Sequence, residues 1–518
     1  MWKYDLLPSN QRGTVEAEVA LMSWRNLVNR VKLFIRGRRQ FNNYKTASKF
    51  TESCNWFTDE RIKADGLSKI KHLKLLYVAN VNFSGSLSHL SNELGYLVWY
   101  RYPYECLPQS FQPHKLVELI LSKSSIQRLW EGTKPLPNLK RLDLSFCESL
   151  VEMPDVAEAL NLERINLQGC VKLQKLNPSI GSLRKLVVLN LRHCKKLVIL
   201  SNIILGLNSL KYLDVLLDET RNTEHLISCL SPSSPLSCLC ELDLSFCSLV
   251  EIPDYIGKLR CLERLNLEGN NFVKLPNLKD LFRLSFLNLQ DCKRLKYLPD
   301  LPSRTVLPLE HFKLSRVSAP ILVWPYLLSC KSTGLIIFGC PELVENELCI
   351  TKSFSWAIQI VEATYHYATY YDQATYRWLF PESIIPGSQI PSLFNNEFVN
   401  VDIEYLDKEN ITVDPPPVPH DNNFIGVLCC VIFRLDHEEI PMDFRRDHMW
   451  LHYEEVSMDE RGIHHYPFRL RSIISLLAYE DFVTADVKKF QYRWVNEQDL
   501  INLKMMHCAN LTARKRKT

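Results

Sequence analysis

The chain repeats itself. An apolar residue, others three and five positions on, then Cys, Asn or Ser three further still, recur through more than half of its 518 residues. The plainest copies are LVELILSKS from Leu116, LKRLDLSFC from Leu139, LERINLQGC from Leu162 and LVVLNLRHC from Leu186. LCELDLSFC from Leu239, LERLNLEGN from Leu262 and LSFLNLQDC from Leu284 continue the series. An imperfect copy stands at Leu210 (LKYLDVLLD), and weaker ones lie upstream at Leu73 (LKLLYVANV) and Leu94 (LGYLVWYRY). Successive starts are 21 to 29 residues apart. A unit this short cannot bury its own apolar residues, so the copies must cover one another.

The spacing within a copy says how. Leu142 and Leu144 are two apart and point to the same side of a short strand. Leu139 closes the turn before that strand, and a later residue (Leu150, Leu173, Leu197 or Leu295 in its own copy) fills the interior as the chain curves back. Stacked copies then share one core behind a parallel sheet that lines a curved inner face. Pro after Leu, at Leu107-Pro108, Leu275-Pro276 and Leu298-Pro299, suits the turning segments. The reading is an α/β leucine-rich-repeat solenoid over residues 66–345, with LIIFGCPEL from Leu335 as a last echo in its terminal cap.

The repeated small position carries Cys147, Cys170, Cys194, Cys247 and Cys292, with Ser124 and Asn270 as replacements. One Cys per turn does not gather four ligands for a metal, so these residues are expected to cap the turn leaving each strand. Cys229, Cys238 and Cys240 cluster without the spacing of a zinc site. An odd total of 17 Cys, with no dense framework in a short domain, fits free thiols in a reducing compartment. No metal or cofactor is expected. The net charge of +4 gives no general electrostatic case for nucleic acid, and no apolar run approaches the ~20 residues of a membrane span.

If Leu142 and Leu144 face inward, the residues beside them face the concave side. The middle column is then Ile120, Asp143, Asn166, Asn190, Asp214, Asp243, Asn266 and Asn288. One flanking column runs Glu118, Arg141, Arg164, Val188, Tyr212, Glu241, Arg264 and Phe286, and the other includes Arg192 and Glu268. Eight strands at about 4.8 Å make a face roughly 35 Å across, the scale of a protein partner. The Asp/Asn column has two readings, a contact surface or a ladder bonded to neighbouring turns. Arg, Tyr and Phe in the flanking columns are the residue types enriched at binding hot spots. A polar insertion, DETRNTEHLISCLSPSSP, is expected to loop out of the array after the Leu210 copy.

Both ends depart from the period. Residues 1–65 include EAEVALMSWRNLVNRVKLFIRGRRQF, where Val19, Trp24, Leu27, Val31 and Phe34 have roughly helical spacing among basic residues. This segment is either a basic membrane-surface helix or an N-terminal cap or truncated remnant over the first repeat's open edge. Residues 346–377 are expected to be a linker. Residues 378–512 alternate as strands, in VNVDIEY, FIGVLCCVIF and HMWLHYEE, and predict an all-β, jelly-roll-like sandwich. Cys429 and Cys430 should point to opposite faces there as packing residues. Residues 513–518 are a basic tail, a nuclear address or a solubilising terminus.

These segments resemble one family. KADGLSKIKHLKLLYV and the run from HLSNELGYLVWYRYPYECLPQSFQPHKL onward are similar to the start of the repeat array in plant intracellular immune receptors. That class joins a Toll/interleukin-receptor-like domain, a nucleotide-binding switch and leucine-rich repeats. FPESIIPGSQIPSLFNNE followed by NNFIGVLCCVIF resembles the β-sandwich that follows its repeats. The resemblance implies a disease resistance protein whose concave face and post-repeat domain sense pathogen effectors. The family's phosphate loop, GxxxxGK[ST], has no counterpart here, and only about 65 residues precede the array. The family's nucleotide binding and NAD cleavage are therefore not carried over to this chain.

Three functions follow. The first is an effector-sensing part of a cytoplasmic receptor, with a protein ligand. The second is a truncated regulatory or decoy protein that pairs with a full-length immune receptor. The third is an enzyme; His464 and His465, with Glu454, Glu455 and Asp459 near them, are its sole candidate cluster, and no nucleophile motif such as GxSxG accompanies them. The first reading, without catalysis, is the one the residues favour.

Overall fold

The computed structural model describes residues 19–22, 31–33, 61–78, 82–197, 206–215, 236–303, 305–306, 333–343, 347–370, 382–390, 399–401, 424–435, 447–455, 458–459, 462–463, 485–496, 498–499 and 502. The polar insertion, Cys229, Leu216, His464, His465 and the basic tail lie outside these. The chain forms two compact units, residues 1–241 and 242–518.

In the first unit, strands Leu75–Val78, Tyr96–Trp99, Glu118–Ile120, Arg141–Asp143, Arg164–Asn166, Val188–Asn190 and Tyr212–Asp214 pair in parallel, each with the next. The register never slips. Leu76, Leu97, Leu119, Leu142, Ile165, Leu189 and Leu213 stand in one row. All are at most 3% exposed, and so are their inward companions Val78, Trp99, Leu121, Leu144, Leu167, Leu191 and Val215. Past each strand the main chain still bonds to the next coil: Leu144 N–H donates to Asn166 O (2.9 Å), Leu167 to Asn190 O (2.9 Å) and Leu191 to Asp214 O (2.8 Å).

The small position of each repeat completes the stacking. Cys147 Sγ donates to Leu121 O (3.1 Å), Cys170 to Leu144 O (3.1 Å) and Cys194 to Leu167 O (3.0 Å). Each thiol thus reaches a carbonyl of the preceding coil. Burial pushes the Cys147 thiol up to about 11 and the Cys194 thiol up to about 12, so both keep the proton they donate. Ser124 Oγ donates to Leu121 O of its own coil. In the Tyr96–Trp99 coil the bulkier Tyr102 fills the equivalent place, packs edge-on against Trp99 and donates to Cys106 O (3.0 Å).

Of the N-terminal segment the described residues are two short strands. Val19–Met22 pairs antiparallel with Val31–Leu33 and parallel with Leu75–Val78, so it occupies the open edge of the repeat sheet. Val19 and Val31 thus stand in strands where helical spacing was expected, and Trp24, Leu27 and Phe34 lie outside the described residues.

In the second unit, strands Arg264–Asn266, Phe286–Asn288 and Gly334–Ile336 continue the same geometry, with Leu265, Leu287 and Leu335 in register and fully buried. The echo from Leu335 therefore adds a strand to the sheet, and Cys340 Sγ reaches Leu289 O (3.1 Å) as Cys292 Sγ reaches Leu267 O (3.2 Å), whereas Cys247 Sγ donates to Ser245 O of its own coil (3.5 Å). Asn270 is the strongest rung. Its Nδ2 donates to Leu244 O (2.9 Å) and Leu267 O (2.8 Å), and its Oδ1 accepts from Leu249 N–H (2.9 Å).

The expected linker holds helix Glu347–Tyr370. Phe354, Trp356, Ile358, Ile360 and Val361 are buried, as are Ser353, Ser355 and Gln359 between them. The hydroxyls of Ser353 and Thr364 bond back to Cys349 O and Ile360 O, which lets the helix be covered on every side. Lys352 pairs with Asp300 at 2.8 Å and ties the helix to the preceding coils.

Strand Glu382–Pro386 then meets Gly334–Ile336 in parallel at Ile336 and Ile384, and pairs antiparallel with His448–Glu455. Phe424–Leu435 pairs with His448–Glu455 and with Ala485–Asn496, which also pairs with Val399–Val401. These strands thus form one mostly antiparallel sheet, and Met458–Asp459 pairs with Gly462–Ile463 in a separate two-stranded one. Its central strand is covered on both faces, because the successive residues Leu428 to Phe433, Cys429 and Cys430 among them, are all buried.

The rungs make a prediction. Asn270→Ala leaves Leu244 O and Leu249 N–H without partners, while Leu267 O keeps the Cys292 thiol (3.2 Å), and should cost about 2–4 kcal/mol in chemical denaturation. Asn270→Cys retains one donor in the form used by the other coils and should cost about half as much.

Candidate protein-binding face

The register that buries the leucines fixes what faces outward. In the first unit one outward row is Leu75, Tyr96, Glu118, Arg141, Arg164, Val188 and Tyr212, and the middle row is Tyr77, Val98, Ile120, Asp143, Asn166, Asn190 and Asp214. In the second unit Arg264 and Phe286 stand beside Asn266 and Asn288.

The middle row belongs largely to the fold. Asp143 is 1% exposed; its Oδ1 accepts from Ser145 N–H (2.9 Å) and Ser122 Oγ (3.2 Å), and its Oδ2 from Asn166 Nδ2 (3.1 Å). Burial raises its pKa despite these bonds. Asn166 and Asn190 accept from the amides of Gln168 (3.1 Å) and Arg192 (3.0 Å), each two residues on. The second unit repeats the device. Asp243 accepts from Ser245 N–H (2.9 Å) and Asn266 Nδ2 (3.0 Å), Asn266 from Glu268 N–H (3.2 Å), and Asn288 donates to Glu268 Oε2 (3.1 Å). Side-chain oxygens here close the turn leaving each strand, and Asn amides donating to Asp or Glu carboxylates link neighbouring coils. Of the expected contact residues, Asp143, Asn166, Asn190 and Asn288 are buried in this ladder, while Asp214, Asp243 and Asn266 stay half-buried.

The flanking row is charged and less occupied. Arg141 Nη2 lies 3.4 Å from Glu118 Oε1, both side chains about nine-tenths covered. Burial raises the Glu118 pKa, and the neighbouring Arg141 and Arg164 oppose that rise. Arg164 stands next to Arg141; burial and this like charge lower its pKa. Arg192, Tyr212 and Glu241 are half-buried. In the second unit the Arg264 guanidinium sits 4.0 Å from the Phe286 ring centre, a cation–π contact that orders both side chains.

Two features were missed in the sequence. The first is the aromatic start of the face: Tyr77, Tyr96, Val98 and Tyr100 are half-buried on the two upstream strands, with the Tyr77 and Tyr100 rings 6.2 Å apart and edge-on. The outward rule applied to the weaker copies at Leu73 and Leu94 selects these residues. The second is a rim of left-handed residues after the strands, Arg101, Lys123, Phe146, Gly169 and His193 in the first unit and Phe246, Gly269 and Asp291 in the second. A phenylalanine there is strained. Phe146 (φ 58) covers Gly169 and Phe246 (φ 52) covers Gly269; a Cβ on either glycine would fall 2.6 or 2.3 Å from the ring. The twin SFC triplets, each followed one coil later by Gly at the same position, are the signal.

Among the described residues no group of three or more His, Cys, Asp or Glu could hold a metal ion, and no helix is long and apolar enough to cross a membrane. The family model described as Leucine Rich Repeat matches residues 115–134, the coil that carries Glu118. The disease resistance-like protein DSC1 of Arabidopsis thaliana is 26% identical over 477 residues, covering 69% of this chain and 38% of its own length. The disease resistance protein RRS1 of the same plant is 38% identical over 224 residues, 43% of this chain and 15% of its own. The chain is related to plant disease resistance proteins. It spans well under two thirds of either relative's length. Among solved structures, the functional domain of InlJ from Listeria monocytogenes, which includes a cysteine ladder, aligns with 45% of this chain and 52% of its own at 20% identity and a TM-score of 0.34.

Gly169→Ala tests the rim. The left-handed backbone (φ +72) and the ring of Phe146 both oppose a methyl group, so the variant should lose about 1–3 kcal/mol of stability in a denaturant titration. Adding Phe146→Gly should recover most of that loss, because one substitution removes both the ring and the second strained residue.

Proposed function

We propose that this chain is the ligand-sensing part of a plant disease resistance protein, binding a pathogen effector through the outward face of its repeats and through its post-repeat β domain. The observation that carries this reading is the division of labour on the sheet. Leucines, thiols and the Asp/Asn ladder hold the coils together, while Arg164, Tyr212, Arg264 and Phe286 place hot-spot residue types in the flanking row. Kinship with disease resistance proteins supports an immune role for that face.

The post-repeat sheet, with its central strand covered on both faces, is read as one layer of a β-sandwich that extends the binding surface. No catalytic activity is assigned to the chain, and its place of action is the cytoplasm. Screening the protein against a pathogen effector library tests the proposal. Tyr212→Ala and Arg264→Ala should each weaken the partner that is found by about tenfold or more with folding intact. Unchanged affinity in both variants would contradict it.

A further inference from the structure

On the first unit's face, charge and aromatic side chains are arranged unevenly. Across the flanking row Glu118, Arg141 and Arg164 follow one another on adjacent strands, with Glu118 opposite Arg141 at 3.4 Å. Arg164 is left over. Among the described residues no hydrogen bond or ion pair engages its guanidinium, although it is partly covered and stands beside a second cation. Three strand spacings away, about 14 Å, lies the half-buried cluster of Tyr77, Tyr96, Val98 and Tyr100. A partly desolvated arginine without a direct ion-pair partner gains more from an incoming carboxylate than an exposed one does, because the carboxylate replaces water it has already lost. The tyrosines and Val98 offer an apolar platform with polar edges, suited to an aromatic side chain.

We propose that this face binds an extended, acidic peptide segment of a protein partner, with a carboxylate on Arg164 and an aromatic side chain on the Tyr96–Val98–Tyr100 platform. The inference rests on the effector-binding reading and adds the chemistry of the ligand. Fourteen ångströms is the reach of about four extended residues, so the acidic and aromatic side chains would stand about four positions apart. A single-stranded nucleic acid would also favour Arg and Tyr. It needs a track of cations along its backbone, however, and Glu118 stands in the same row beside Arg141.

The test uses the full chain and a fluorescein-labelled random copolymer of glutamate and tyrosine, followed by anisotropy. Polyglutamate, a lysine–tyrosine copolymer and an oligothymidylate serve as comparison probes. The glutamate–tyrosine copolymer should bind at least about tenfold more tightly than polyglutamate or oligothymidylate, and the lysine–tyrosine copolymer should not bind. Arg164→Glu should weaken it about tenfold or more, and Tyr96→Ala with Tyr100→Ala should remove its advantage over polyglutamate. Glu118→Gln should tighten it, a gain that a misfolded variant would not give.

No binding of the glutamate–tyrosine copolymer, equal binding by the Arg164→Glu chain with an unchanged circular dichroism spectrum, or tighter binding of oligothymidylate would each overturn the proposal. Failure of the effector-binding reading is seen separately, in an effector whose affinity ignores Tyr212 and Arg264.

Discussion

A carbonyl at the end of each short strand has two lone pairs: in Leu144 O and Leu167 O one is taken within the coil, by Cys147 N–H (3.2 Å) and Cys170 N–H (3.1 Å), and the other faces the next coil. The repeat answers with one small donor aimed back at the preceding coil: the thiols of Cys147, Cys170, Cys194, Cys292 and Cys340, and the amide of Asn270. The leucines supply the apolar area, but this rung lets consecutive coils approach closely without buried polar loss. Because the thiols are held protonated by burial, the donor persists across the physiological range. The outward rows, the Asp/Asn ladder and the rim all inherit their positions from that stacking.

A consequence is that concave does not mean free. On a sheet whose coils bond side chain to side chain, the middle row becomes a second set of rungs. Asp143 is as buried as the leucines behind it. The binding surface proposed above is therefore the flanking row and the aromatic strands upstream. The rim shows the reverse economy: Phe146 and Phe246 hold an unfavourable backbone conformation, and each covers the bare glycine of the next coil. Strain of that kind persists only where neighbouring coils fix it.

Much of this was legible in the residues. The three-then-two spacing of leucines identified every inward position of the repeat strands, and one Cys per turn was enough to prefer a capping role over a metal. What the pattern hid has physical causes. An outward Asp reads as solvated unless the next coil's Asn is known to reach it, so burial of Asp143 required coordinates. Helix Glu347–Tyr370 carries Phe, Trp, Ile and Val on all sides and therefore lacks the amphipathic period that marks a helix. At Val19–Met22, pairing with Leu75–Val78 outweighs local spacing. Tyr77, Tyr96 and Tyr100 were within reach of the same outward rule, in copies whose consensus is weak.

Amide hydrogen exchange tests the stacking most directly. Leu144, Leu167 and Leu191 each donate across to the next coil just beyond a strand, where an isolated turn would leave them open to water. Coil-on-coil stacking predicts that these three amides exchange together, slowed on the order of 10⁴-fold or more, and so report opening of the array as a unit. Exchange of the three at the rates of unstructured peptide, or protection confined to one of them, would contradict it.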